Sequence, residues 1–186
     1  MYAAFSTSSP LISVAIFGND FSLIDSLEVH APMQGNTLVL GIFRELFDRN
    51  RIEISEIDGY LADLGPGSFT GVKIAVTVAK TLGYINQKKV GGVMSHQLIS
   101  GNDAVAVPIK KGQYVVRLNS SEIKVVDGLP ADVRLGYGSD FDVQSYPHAK
   151  NFEGLISAVD YCDPVRLLPQ YILEPSISTP KKRIQL

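Results

Sequence analysis

The sequence lacks the features of a secreted or membrane-spanning protein. It has one cysteine, Cys162, among 186 residues, so no internal disulfide can form, which is compatible with a reducing compartment. Its start, MYAAF, lacks the basic residues and long apolar core of a signal peptide. No apolar run approaches the roughly 18–20 residues that cross a bilayer. We therefore expect a cytoplasmic protein with no membrane partner.

Strong net charge is also absent. The formal charge is −2 at pH 7, so no overall field draws the protein onto nucleic acid or onto an anionic membrane. There is no internal repeat and no low-complexity segment. Hydrophobic residues make up 45% of the chain, which is enough for a packed core. The length suits one domain or two small lobes.

Residues with the spacing of a catalytic or metal site are scarce. His30, His96 and His148 lie far apart, and none has a second histidine or cysteine at metal-ligand spacing, so each is interpreted as a surface or loop histidine. Cys162 has no nearby base and is expected to be inert. Asp63 could be a site carboxylate, but the sequence shows no partner for it.

The dominant motif is GPGSFTG at residues 65–71, here called the glycine turn. The apolar run 59–64 predicts a buried strand before it. A helical pattern over 72–82 follows, with Gly83 at the position of a C-terminal capping glycine. Ser68 or Thr70 can accept a hydrogen bond from the first helix amides, which could also hold an anion. The glycine turn consists of Gly65, Pro66, Gly67, Ser68, Phe69, Thr70 and Gly71.

Three familiar enzyme motifs do not fit this spacing. A Walker A loop needs a lysine directly after its last glycine, but Lys73 lies two residues beyond Gly71. A nucleophile elbow needs glycines two residues before and after the serine, which Ser68 lacks. A dinucleotide fingerprint needs a third glycine where Thr70 stands. A structural turn and a ligand or partner site both remain open.

The order of predicted elements is β-β-β-α-β-α-β, followed by a smaller lobe. Strands are predicted at 3–5, 11–17 and 21–29 as an antiparallel meander, and a parallel crossover passes through the glycine turn to a strand at 90–93. Helices are predicted at 37–49, 72–82 and, briefly, 95–99. Further strands are predicted at 103–108, 113–118 and 122–126, and a short helix at 151–159; no element is assigned to 128–146. We place the lobe boundary at residue 100, which gives domains 1–100 and 101–186.

Both main helices have wider apolar faces than one sheet covers. At 100° per residue, the apolar residues span roughly 200° on the first helix and 220° on the second, whereas a surface helix needs little more than 100°. The excess predicts a protein–protein interface, and the alternative is cover by the chain's own second lobe. The predicted partner-binding residues are Leu40, Phe43, Phe47, Gly71, Lys73, Ile74, Thr77, Val78 and Lys80.

Four stretches resemble the TsaB (YeaZ) family. The glycine turn with VKI after it and AKTLG at 79–83 closely resembles the family signature, and AFSTS at 4–8 resembles its first hairpin. VGGVMS at 90–95 and LPQYI at 168–172 are similar to two further family segments. The resemblance implies an actin-like (ASKHA) α/β fold of two lobes with mixed sheets, the second lobe reduced.

The resemblance also implies a function. Members of this family are non-catalytic paralogues of TsaD, which they bind through N-lobe helices; with a TsaE-like ATPase they support formation of threonylcarbamoyladenosine in tRNA. Two departures point away from an enzyme. Ser6 stands where the family has an aspartate, and the loop after His30 has no second histidine. We therefore expect no catalytic residue, no metal and no cofactor.

Two other hypotheses remain open. One is a small ATPase or phosphotransferase of the same fold that holds phosphate in the glycine turn. The other is a serine hydrolase that acts through Ser68, which the spacing does not support. Under the family interpretation the partners are a TsaD-like subunit, a TsaE-like ATPase in a larger complex and, when these are absent, a second copy of the chain. Because the net charge is near neutral, we expect this chain to contact tRNA only indirectly.

Overall fold

The computed structural model describes residues 1–32, 35–118 and 122–172. The predicted element order of the first hundred residues is confirmed. Within the described ranges, no helix has both the length and the apolar character to cross a membrane. The strands are β1 (Tyr2–Ser6), β2 (Leu11–Phe17), β3 (Leu23–His30), β4 (Gly59–Asp63) and β5 (Lys89–Val93); the helices are α1 (Gly35–Asn50) and α2 (Phe69–Ile85).

The five strands form one mixed sheet in the order β3-β2-β1-β4-β5. β1 and β3 pair antiparallel with β2, which confirms the meander, and β4 pairs parallel with β1 and β5. β1 is central, and residues 3–6 are buried on both faces. Because side chains alternate along a strand, Phe5 points to one core and Ala4 to the other.

The two helices cover one face of this sheet. Phe5 and Tyr60 pack there in one buried cluster with Leu46 and Val76. The opposite face is covered by Phe152 and its neighbours, in two short 3-10 helices, Ala149–Phe152 and Ile156–Ala158. The predicted helix over 151–159 is therefore wrong in type, although its apolar residues do cover the sheet.

A second sheet follows, and three of its strands were predicted. It contains β6 (Val105–Lys110), β7 (Gln113–Leu118), β8 (Glu122–Asp127) and β9 (Leu135–Gly136), in the order β8-β7-β6-β9. β9 pairs parallel with β6, so this sheet is also mixed. β9 lies in the stretch for which the sequence favoured no element.

Two predicted helix features are wrong. Gly83 lies inside α2, which continues to Ile85, and not beyond its end. A Cβ at this position would overlap the Val90 side chain of β5, so the glycine allows close packing of the helix on this strand. The segment 95–99 forms turns and no helix. Its expected cap, Ser95, instead donates its hydroxyl to the Asp63 carboxylate at 2.5 Å.

Candidate functional site

The glycine turn packs directly on the hairpin turn between β1 and β2. The backbone N–H of Ser68 donates to the carbonyl oxygen of Ser8 at 2.6 Å. A Cβ at Gly67 would overlap that same oxygen, and a Cβ at Gly71 would overlap the carbonyl oxygen of Thr7. The glycines at these two positions are thus required by contact with the chain's own backbone, and they need no phosphate to explain them.

Ser68 also begins helix α2. Its hydroxyl accepts a hydrogen bond from the backbone N–H of Gly71 at 3.3 Å, which confirms the predicted cap. Thr70, the other candidate, is exposed on the first turn. The Ser68 hydroxyl therefore has a structural partner, and neither a histidine nor a carboxylate is its hydrogen-bond partner among the described residues.

Behind the glycine turn lies the buried carboxylate of Asp63, which is fully inaccessible. One of its oxygens accepts from the hydroxyls of Ser6 at 2.8 Å and Ser8 at 2.5 Å. The other accepts from the Ser95 hydroxyl at 2.5 Å and the Gly65 backbone N–H at 3.0 Å. Burial raises the pKa of Asp63, although these four donors act in the opposite direction. The carboxylate joins β1, the hairpin turn, the glycine turn and the segment after β5.

The prediction of a surface or loop histidine holds for all three, because His30 is at the surface and His96 and His148 lie in segments without helix or strand. His30 is exposed, whereas His96 and His148 are each only 5% exposed. Burial lowers the pKa of His96 to about 4, with a smaller contribution from the positive charge of Arg117. His148 contacts Glu28, and burial lowers its pKa. In the described part of the chain, no three His, Cys, Asp or Glu side chains are grouped as metal ligands.

A cleft of about 340 Å³ opens between the hairpin turn, the start of α2 and the second sheet. Ser9 and Thr70 line it with hydroxyls, Ile12 and Ile74 supply apolar walls, and Tyr137 comes from the second sheet's side. No charged side chain of the described residues lines it. The cleft therefore offers no positive group for a phosphate.

Three residues predicted to face a partner are buried in the monomer. Phe43 is 6% exposed and lies edge-on to Phe5 with ring centroids 5.2 Å apart. Phe47 is 9% exposed and lies against Phe43 at 4.3 Å, and Gly71 is buried under Thr7. The chain itself covers these three residues, Phe43 and Phe47 in the main core and Gly71 under the hairpin turn, so they are not accessible to a partner in the folded monomer.

The other predicted residues lie at the surface or at its edge. Leu40 on α1 is 53% exposed. On α2, Ile74 and Val78 are half-buried at the edge of the core, and they lie 40° apart on the helix. We call Leu40, Ile74 and Val78 the seam. Thr77 is exposed beside it, Lys73 is exposed over the Phe69 ring, and Lys80 is half-buried further round α2.

A C-terminal segment also packs on α2, and no role was predicted for it. We call residues 163–171 the strap. Near one end, Pro164 lies beside Gly83; at the other, the Tyr171 ring lies 4.9 Å from the Phe69 ring. The N–H of Gln170 donates to the Leu64 carbonyl oxygen at 2.8 Å. The strap overlaps the LPQYI segment that carries part of the family resemblance.

Comparison with known proteins gives a consistent result. The family model "TsaD: tRNA N6-adenosine threonylcarbamoyltransferase" matches residues 36–108, which include the glycine turn. The tRNA threonylcarbamoyladenosine biosynthesis protein TsaB of Buchnera aphidicola is 31% identical over 70 residues, 38% of this chain and 31% of that protein. The match thus spans less than a third of the length of this curated relative.

Two solved structures have the same fold. A protein described as similar to peptidase YeaZ from Pseudomonas aeruginosa superposes with a TM-score of 0.72 at 21% identity, and YeaZ from Pseudomonas aeruginosa with 0.67 at 20%. Each superposition covers 92% of this chain and 99% of the other. A relative named TsaB and a TsaD-type match over the glycine turn support the TsaB/YeaZ interpretation, and the chain has the mixed α/β fold of the two YeaZ structures, as expected for an actin-like (ASKHA) protein.

Proposed function

We propose that the chain is a non-catalytic subunit of the complex that forms threonylcarbamoyladenosine in tRNA. It binds a TsaD-like catalytic subunit through the seam and leaves the chemistry to that partner. The proposal extends the printed names of its relatives, a TsaB biosynthesis protein and a TsaD-type family model, to this chain.

The observation that carries the proposal is the exposed apolar seam over the two helices. Leu40 is 53% exposed in the middle of α1, and Ile74 and Val78 are half-buried on α2, the helix that contacts α1. Burial of a leucine side chain is worth roughly 1.5–3 kcal/mol, so covering the seam favours association. The exposed Thr77 lies on one side of it and supplies the polar edge that is typical of protein interfaces.

The glycine turn supports a scaffold over an enzyme. Its closest backbone approaches are to Thr7 and Ser8, and its serine caps α2. The nearby carboxylate, Asp63, is fully buried under four donors and has no surface open to a substrate. Binding of ATP by the isolated chain would instead favour the small ATPase hypothesis.

The remaining parts of the proposal concern assembly. The chain acts in the cytoplasm, and a TsaE-like ATPase joins the larger complex. Residues 1–100 form the partner-binding lobe, and residues 101–186 form the smaller lobe and tail. Without its partner, the same seam pairs two copies of the chain, because exposed apolar faces self-associate.

The test is co-purification of the full chain with the TsaD protein of the same organism. Leu40→Asp and Val78→Asp are expected to abolish the complex while each monomer stays folded. Ile123→Asp is the matched control: Ile123 is 39% exposed on β8 of the second sheet, so this variant should bind normally. Phe43→Asp is a folding control, because it buries a charge against Phe5 and should unfold the monomer.

Size-exclusion chromatography and thermal unfolding distinguish the outcomes. A folded Leu40→Asp variant that binds TsaD as tightly as the natural chain would remove the seam from the proposal. Failure of the natural chain to bind TsaD, with or without ATP, would remove the scaffold function itself.

A further inference from the structure

The exposed large apolar side chains of this protein are concentrated on α2 and the strap. Six of the exposed large apolar side chains in the described ranges lie on these two segments. On α2, Tyr84 is 73% exposed and Phe69 is 45% exposed. On the strap, Val165 is 74% exposed, Leu168 61% and Tyr171 42%. We call these five residues the strap face. So much apolar surface on one side of a small domain is typical of a binding site.

The strap is held firmly enough to present these side chains. Leu167 is buried in the main core, only 6% exposed. The Lys80 ammonium donates to the Val165 carbonyl oxygen at 3.3 Å, and Lys89 pairs with Asp163 at 3.1 Å. Leu168 directly follows the buried Leu167, so the backbone holds the Leu168 side chain in its exposed position.

The strap face is separate from the seam. At 100° per residue, Phe69 and Tyr84 lie 60° apart on α2, whereas Ile74 and Val78 of the seam lie 140° and 180° from Phe69. The exposed Thr77, at 80°, lies between the two sets. The seam and the strap face therefore point in different directions around α2.

Charge indicates what covers it. Lys73 lies over the Phe69 ring at 4.0 Å, Lys80 bonds a carbonyl oxygen, and Arg166 is exposed on the strap. Among the described residues, no carboxylate forms an ion pair with any of these three cations. The strap's own Asp163 is already paired with Lys89. The face is thus apolar with unpaired positive charge, which complements carboxylates.

We propose that the strap face docks a second protein through a segment whose apolar side chains are flanked by Asp or Glu. The aromatic Phe69, Tyr84 and Tyr171 suit protein and RNA alike. Val165 and Leu168 are aliphatic and offer no stacking surface for bases, which favours protein. The chain's net charge of −2 favours the same choice. This inference rests on the proposed function and adds a second partner to it. The two proposals are tested at different positions, so either can be contradicted without the other.

The test is site-specific photo-crosslinking of the full chain in its own cells. A photoreactive phenylalanine analogue replaces Leu168 in one variant, Leu40 in a second and Ile123 in a third, and the joined peptides are sequenced by mass spectrometry. At position 168 we expect one protein segment that is rich in apolar residues and carboxylates. Position 40 reports the TsaD-like partner of the seam, and position 123 should give neither product.

A second variant makes the charge argument testable. Arg166→Glu is exposed and should leave thermal unfolding unchanged, yet it should remove most of the crosslink at position 168 and none at position 40. The proposal is overturned if position 168 joins RNA, a second copy of the chain, the same TsaD segment as position 40, or nothing. An undiminished crosslink in Arg166→Glu would also overturn it.

Discussion

The hydroxyl of Ser6 donates a hydrogen bond to the buried carboxylate of Asp63 at 2.8 Å. The family resemblance implies an aspartate at the Ser6 position, which would place two carboxylates side by side in a buried site. Here a neutral hydroxyl stands there, and Ser8 and Ser95 complete the cluster. The cluster therefore works as a structural joint between the hairpin turn and the glycine turn.

Asp63 makes the stability of this protein depend on pH. Its pKa is raised above the usual 3.8 by burial, so the native state keeps the proton longer than the unfolded chain does. Stability from this group is present at low pH and is lost as pH rises through the native pKa. In Asp63→Asn the serine hydroxyls can rotate to accept from the amide, and this slope should disappear.

Denaturant unfolding from pH 4 to pH 8 measures this effect. The free energy of unfolding of the natural chain should fall, relative to that of Asp63→Asn, as pH rises. Comparing the two proteins at each pH removes the contributions of all other titrating groups. Parallel curves for the two proteins would contradict the raised pKa.

Gly71 and Gly41 should respond to alanine in opposite directions. At Gly71 a Cβ would overlap the Thr7 carbonyl oxygen, so Gly71→Ala should cost about 1–3 kcal/mol or more. Gly41 is exposed in α1 with nothing near its Cβ position, so Gly41→Ala should stabilise by about 1 kcal/mol. Thermal and denaturant unfolding give both values. A neutral Gly71→Ala would show that the glycine turn is kept for another reason.

Buried His96 should cause acid sensitivity. Its native pKa of about 4 lies below the ordinary 6.5. As pH falls from 6.5 to 4, His96 therefore becomes protonated in the unfolded chain but stays neutral in the native state. Stability from this group is lost over that range, by at most about 3 kcal/mol. His96→Asn should remove this slope, and His30→Asn, at an exposed site, should keep it. The measurement is urea unfolding at half-unit steps of pH.

The local sequence determined most of the first sheet and the cap of α2. The alternating and continuous apolar runs predicted β1, β2 and β4 to within a residue, because a strand buried on both faces needs apolar side chains throughout. The sequence limited the cap to Ser68 or Thr70, because a hydroxyl near free helix amides can accept a hydrogen bond from them, and the structure shows that Ser68 is the cap. The spacing of the glycine turn also separated it from known phosphate loops.

Only the tertiary structure decided which apolar residues are covered. Phe43 and Leu40 both belong to the wide apolar arc of α1, yet Phe43 is buried against Phe5 and Leu40 is 53% exposed. Periodicity gives the direction of a side chain around its own helix, but it does not show which other segment of the chain packs against that side. The partners of Asp63 and the burial of His96 likewise come from segments far apart in sequence, whose meeting no local pattern encodes.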